Sequence, residues 1–273
     1  MSAPVDDSSP SSAGLDRAWT WIGCGRRLVR QQQSLWYGMA AIYFALAFLL
    51  KLIPLGGTLL LILLTPMLLA GVLWGQELVR GAEPRPAAPN SSAAALFQAW
   101  VARPAQELLR IFSHEEKVYP AVLLGIVTLG LVIFVLIPRD WFVGGSMVSG
   151  LAASGSGVPY LMILKIAVVA ALYVLLAMGL LFSVPLTVIG ERLPLASIAE
   201  SFSTCRTHAR PLLALVAPFF LVYLIIVLAF AKAYWLGYLL TLSAGLLALP
   251  LFVASIYCSY LALFINPSDR QRY

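Results

Sequence analysis

Residues 34–80 read SLWYGMAAIYFALAFLLKLIPLGGTLLLILLTPMLLAGVLWGQELVR, two nearly charge-free apolar runs joined at Ile53-Pro54-Leu55-Gly56-Gly57. The hydrocarbon core of a bilayer is ~30 Å thick and takes about 20 residues of helix to cross. Each run is about that long, so the stretch reads as a transmembrane hairpin. Its first span covers residues 35–53 and opens with Trp36 and Tyr37, whose amphipathic rings favour the membrane–water boundary. Its second covers residues 58–79 and contains Pro66, which deprives the Ile62 carbonyl of its donor and predicts a kink.

Composition extends this reading to the whole chain. Of 273 residues, 61% are hydrophobic and 11% charged, whereas soluble domains carry about 25% charged residues. Too few charges are present to cover a water-facing surface, and the apolar segments do not alternate as barrel strands would. The expected class is therefore an all-α polytopic membrane protein. The net charge of +6 does not point to nucleic acid, because no block of five or six like charges occurs and the arginines flank apolar runs. Cys24, Cys205 and Cys258 are scattered with no CxxC pair, which supports neither a disulfide framework nor a zinc site. The opening MSAPVDDSSPSSAG has two acidic and no basic residues, unlike a secretory signal; residues 1–14 are expected to form a disordered tail.

Four more spans follow, over residues 118–137, 159–189, 211–231 and 237–264, with Pro185 and Pro250 inside the fourth and sixth. A Pro-rich linker occupies 81–92, a Gly/Ser-rich stretch 144–157, and a polar tail 266–273. The six spans make one transmembrane domain over 15–265. Before each pair of spans lies a mixed apolar and basic segment, expected to be a helix lying in the headgroup plane. In residues 15–33, Trp19, Ile22 and Val29 share a side away from Arg26, Arg27 and Arg30, and Gly23 and Gly25 each weaken the helix by ~1 kcal/mol. In residues 93–117, Leu96, Phe97, Trp100, Leu108 and Ile111 line one face, opposite Gln98, Arg103, Gln106 and Arg110, and Pro104 divides the helix. In residues 193–210, Ser197-Ile198-Ala199-Glu200 fits a capping box, and Leu195, Ile198, Phe202 and Cys205 step along one face.

Fourteen of the eighteen Lys and Arg residues fall at the N-terminal region, the 80–117 and 190–210 loops and the C-terminal tail; only Lys51, Arg139, Lys165 and Lys232 remain for the other side. The excess of basic residues on cytoplasmic loops then places both termini in the cytoplasm, which requires an even number of spans. Six fits. The second span of each pair carries a proline followed five residues later by a small residue: Pro66 and Gly71, Pro185 and Gly190, Pro250 and Ser255. A small residue beside a freed carbonyl allows close helix approach, so the unit reads as interfacial helix, span, turn and kinked span, stated three times.

Residues Trp21-Ile22 with Arg27-Leu28-Val29, then Leu52 to Gly56, Pro66 to Gly71, and Ser201 to Cys205 running through His208 to Pro211-Leu212-Leu213 resemble an uncharacterised family of six-span proteobacterial inner-membrane proteins. That family is similar in layout to the membrane domain attached to some glycerophosphodiester phosphodiesterases. The resemblance implies residence in the bacterial inner membrane and six helices, and it implies no reaction. The family usually has Asn where this chain has His208.

Residues suited to chemistry are sparse. His114-Glu115-Glu116-Lys117 lacks the second His of an HExxH helix and reads as a solvated charge cluster. Cys205 and His208, three apart, lack a third orienting group. Lys51, Lys165 and Lys232 sit near span ends, where long stems let ammonium groups reach the headgroups; Lys165 is the deepest. No carboxylate lies in the central part of a span; Glu77 is at the inner end of the second. No catalytic residue, cofactor or metal is therefore expected. The expected role is non-enzymatic, through helix packing and contact with lipids or a membrane-protein partner, with anionic headgroups held at the cytoplasmic arginines. A transporter or channel for an apolar or amphiphilic solute is the alternative, and nothing in the sequence sets an oligomeric state. Cys24 and Cys205 are expected to be open to thiol reagents from the cytoplasmic side.

Overall fold

The computed structural model describes residues 12–54, 56–80, 96–139 and 160–265, and every regular element among them is helical. In chain order these are α1 (Ser12–Gln31), α2 (Gln33–Lys51) and α3 (Gly56–Arg80). A π-helical turn (Gln98–Ala102) leads into α4 (Arg103–Arg110) and a 3-10 turn (Ile111–Ser113). Then come α5 (Glu115–Arg139), α6 (Tyr160–Leu180) and the short α7 (Ser183–Val188). The last three are α8 (Pro194–Thr207), α9 (Ala209–Lys232) and α10 (Tyr234–Phe264). Six stretches are long and apolar enough to cross a membrane: 33–51, 56–75, 116–135, 167–188, 209–230 and 234–264. They agree in number and place with the spans read from the sequence. The expected tail at 1–11, linker at 81–92, Gly/Ser-rich stretch and C-terminal tail lie outside the described residues. Helix α1 already starts at Ser12, ahead of the expected position 15.

The chain divides into two compact units, one of residues 1–52, 71–113 and 207–273, the other of residues 53–70 and 114–206. In the first, α1 lies against α9 and α10, α10 pairs with α9 and α2, and α2 meets α4 with its π turn. Backbone-close crossings explain why small residues occur where they do. A Cβ on Gly25 of α1 would lie 2.6 Å from the Ser255 Oγ and 2.8 Å from its backbone nitrogen. On Gly38 it would lie 2.5 Å from the Trp100 carbonyl oxygen, and on Gly71 2.7 Å from that of Leu108. Glycine permits such approach, with Cα–H groups facing carbonyl oxygens. The small residues five positions after Pro66 and Pro250 therefore do receive a neighbouring helix.

Several expected faces are turned. Helix α1 buries Ala18, Trp21, Gly25 and Val29, spaced along one stripe, and leaves Trp19 65% exposed. The expected Trp19–Ile22–Val29 face is thus displaced, because the seat on α10 accepts Gly25 and the residues in line with it. Helix α4 buries Pro104 and Leu108 while Leu96, Phe97 and Trp100 stay exposed. Nor does Pro104 divide the segment. The preceding turn widens, and the Arg103 N–H donates to the Gln98 carbonyl five residues back, the accommodation a π turn provides.

In the second unit α5 packs on α6 and α7, and a Cβ on Gly125 would lie 2.6 Å from the Leu63 carbonyl oxygen of α3. Pro66, Pro218 and Pro250 lie inside continuous helices. The span containing Pro185 is different: it breaks after Leu180 and resumes at Ser183, one turn before the proline that cannot donate to the Leu181 carbonyl.

Candidate functional site

The break between α6 and α7 exposes backbone groups that a continuous helix would satisfy, and α8 bridges two of them with the Ser201 hydroxyl. Ser201 Oγ accepts from the Phe182 N–H at 3.0 Å and donates to the Met178 carbonyl at 2.7 Å. Thr187 Oγ1 donates to Ser197 Oγ at 2.9 Å, and Ser183 donates to the Leu180 carbonyl. Ser183, Thr187, Ser197 and Ser201 are all buried. This arrangement overturns two expectations. Ser197 does not cap a helix, since α8 begins at Pro194, a residue suited to a first helical position, and Glu200 lies 3.8 Å from Arg192 instead. The seated face is Pro194, Ser197, Ser201 and Cys205, while Leu195 points out at 69% exposure. Hydroxyls win that face because an unpaired buried backbone group costs ~1–3 kcal/mol.

Beside this seat, Lys117 Nζ donates to Glu191 Oε1 at 2.6 Å, joining the start of α5 to the turn after α7. Glu191 has φ 53°, a left-handed conformation that a non-glycine residue adopts at some cost. Its hydrogen bond to Lys117, and then the lysine's charge, hold the carboxyl below its ordinary value of 4.5. Lys117 is thus partnered across the fold, where the sequence reading had only a solvated cluster; a separation of 74 residues hides such a pair.

Cys205 is in no environment that would activate a thiol. Its side chain is buried, and burial pushes the thiol up to about 11, against a weaker lowering by the Ser201 hydroxyl. At neutral pH it is the unreactive protonated form. His208 precedes α9, with Nδ1 3.0 Å from the Thr207 hydroxyl. His114 is exposed, and its carbonyl accepts from the N–H groups of Lys117 and Val118 at the start of α5. Lys51 and Lys232 are exposed at the ends of α2 and α9, next to exposed Tyr234 and Trp235 in the second case. The side chains of Glu77 and Lys165 lie outside the described residues. Among the described residues no group of three or more His, Cys, Asp or Glu is placed to hold a metal ion.

What the sequence reading missed is a bond. Cys24 of α1 and Cys258 of α10 form a disulfide, with Cα atoms 6.2 Å apart across a separation of 234 residues. Cys24 is half-buried and Cys258 buried. With Cys24 bonded and Cys205 buried, neither presents an open free thiol in this structure, against the expectation that both stand open to thiol reagents. Scattered cysteines gave no local sign of the pair. The nearest hint was Gly25 beside Cys24, opposite the small residue that follows Pro250.

Six helices long and apolar enough to span a bilayer mark the chain as an integral membrane protein of the multi-pass helical class. No family model, curated protein or solved structure matches the chain.

Proposed function

We propose that the protein is a non-enzymatic component of the bacterial inner membrane, a six-span protein of three hairpins, each preceded by an interfacial helix, with both termini cytoplasmic. Its cytoplasmic helices hold anionic lipid headgroups and present a surface to a membrane-protein partner. The inner-membrane location leans on the family resemblance and the orientation on the placement of Lys and Arg. The observation that carries the lipid reading is α1. Its buried stripe seats it on α9 and α10, while Arg17, Arg26, Arg27, Arg30 and the ring of Trp19 are all exposed. Exposed guanidinium groups beside an exposed indole match a surface of phosphate headgroups over hydrocarbon. Retention of lipid by protein extracted into nanodiscs tests it. Wild type should carry anionic lipid in excess of its share of the membrane, and Arg26→Ala/Arg27→Ala/Arg30→Ala should lose that excess. Equal retention by both proteins defeats the reading.

A second reading, transport of an apolar or amphiphilic solute, draws on the broken α6–α7 span, since discontinuous helices frame the sites of many transporters. Here the freed groups are occupied by Ser201, which weakens that reading. Solute flux in proteoliposomes that Ser201→Ala changes without unfolding the protein would revive it.

A further inference from the structure

We propose that Cys24 and Cys258 form a thiol–disulfide exchange site on the cytoplasmic face, taking low-molecular-weight disulfides that carry carboxylates, and that its oxidation locks the basic helix α1 to the last span. The proposal rests on the orientation given above. Two observations carry it. The first is location: the bond joins the helix bearing Arg17, Arg26, Arg27 and Arg30 to the C-terminal end of α10. That is the side assigned to the cytoplasm, where thiols are kept reduced and disulfides that do form are transient or sensing. A structural bond belongs in the opposite compartment. The second is packing. Gly25 sits against the backbone of Ser255, and Cys258 lies one turn beyond Ser255 on α10, so the helix crossing holds the two sulfurs together whether or not they are bonded. Ala18, Trp21 and Val29 bury the same side of α1, and a reduced pair therefore stays poised to reoxidise.

The chemistry balances with an external disulfide R′S–SR′. The Cys24 thiolate, half-buried and so reachable, attacks one sulfur. The R′S–SR′ bond breaks, one R′S⁻ leaves, and Cys24 becomes a mixed disulfide. The Cys258 sulfur then attacks the Cys24 sulfur, expelling the second R′S⁻ and closing the internal bond. The two protons lost by the protein thiols end on the two released thiols. Excess thiol runs the sequence backwards. The exposed guanidinium groups of Arg26 and Arg27 draw carboxylate-bearing disulfides such as oxidised glutathione to Cys24.

The test uses the full chain in growing cells, with separate C-terminal alkaline phosphatase and green fluorescent protein fusions reporting the side of the terminus. Cells are quenched in acid, denatured and alkylated with a polyethylene glycol maleimide, so each free thiol adds one gel step. Three adducts in unstressed cells, falling to one within minutes of treatment with a thiol oxidant, support the proposal. So does the same fall in inside-out vesicles given oxidised glutathione, with Cys24→Ser fixed at two adducts. In the oxidised form, trypsin cleavage at Arg26, Arg27 and Arg30 in those vesicles should slow by about tenfold or more, because local opening of α1 is then tethered. One adduct in unstressed cells with a cytoplasmic terminus makes the bond a static staple and overturns the proposal. Three adducts under both conditions overturn it as well, and either result leaves the orientation intact. A terminus reported outside overturns the orientation first and the exchange site with it.

Discussion

Gly23 and Gly25 lie two residues apart in α1 and carry the same intrinsic helix penalty, yet replacing each by Ala should move stability in opposite directions. At Gly23 nothing lies within 4 Å of the added methyl. Gly23→Ala should therefore stabilise α1 by ~0.5–1 kcal/mol through the reduced freedom of the unfolded chain. At Gly25 the methyl would stand 2.6 Å from Ser255 Oγ, 2.8 Å from its nitrogen and 3.0 Å from its Cα. Carbon contacts relax at about 3.5–4.0 Å, so α1 would have to retreat by about an ångström along its seat. Overpacking of this kind costs ~1–3 kcal/mol, of which the propensity gain returns up to ~1 kcal/mol, leaving Gly25→Ala ~1–2 kcal/mol less stable than wild type. The two variants should thus differ by about 2 kcal/mol, roughly 30-fold in the population of locally opened α1. Trypsin cleavage at Arg26 and Arg27 in detergent, under reducing conditions so that Cys24–Cys258 does not mask the effect, reads that population. Gly25→Ala cleaved no faster than wild type, or Gly23→Ala cleaved as fast as Gly25→Ala, would refute the close crossing of α1 and α10.

Ser201→Ala removes the hydroxyl that accepts from the Phe182 N–H and donates to the Met178 carbonyl and should destabilise the protein by ~1–3 kcal/mol in detergent unfolding; Ser203→Ala, whose hydroxyl is exposed and donates to the Glu200 carbonyl, should be nearly neutral. Cys205, with its thiol pushed up to about 11, should react with maleimide hardly at all at pH 8 and rapidly only as the pH nears 11. Because burial favours the protonated thiol, its contribution to stability is complete below the ordinary value of 9.0 and is lost as pH rises through about 11. Glu191 has the reverse sign. Its carboxyl is held below 4.5 by Lys117, so the pair stabilises the fold above that pH and fades as the pH falls below it. Glu191→Gln should match wild type in acid and fall behind it at neutral pH.

The number and position of the spans were legible because they depend on the length of apolar runs, which is a local quantity. Which side of a helix is buried is not local. In α1 the choice between Trp19 and Trp21 is made by Ser255, far along the chain, which takes Gly25 and brings the residues in register with it. In α8 the apolar pattern favours Leu195, but the broken span offers polar groups rather than hydrocarbon: Ser201 answers its backbone and Ser197 the Thr187 hydroxyl. Pro185 was legible as a proline in a span. That it would break the helix while Pro66 and Pro250 would not depends on the hydroxyls of α8 waiting opposite. The Cys24–Cys258 pair and the Lys117–Glu191 bridge, separated by 234 and 74 residues, left no mark that spacing alone could reveal.

The seats of the three short helices also impose a timetable on synthesis. Helix α4 settles on Gly38 and Gly71 and α8 on the break after Leu180, so each closes over spans that have already left the ribosome. Helix α1 is made first, yet its seat on α9 and α10 is made last. It must wait until α10 emerges, and a chain halted before Ser255 would leave it only the α9 part of its seat.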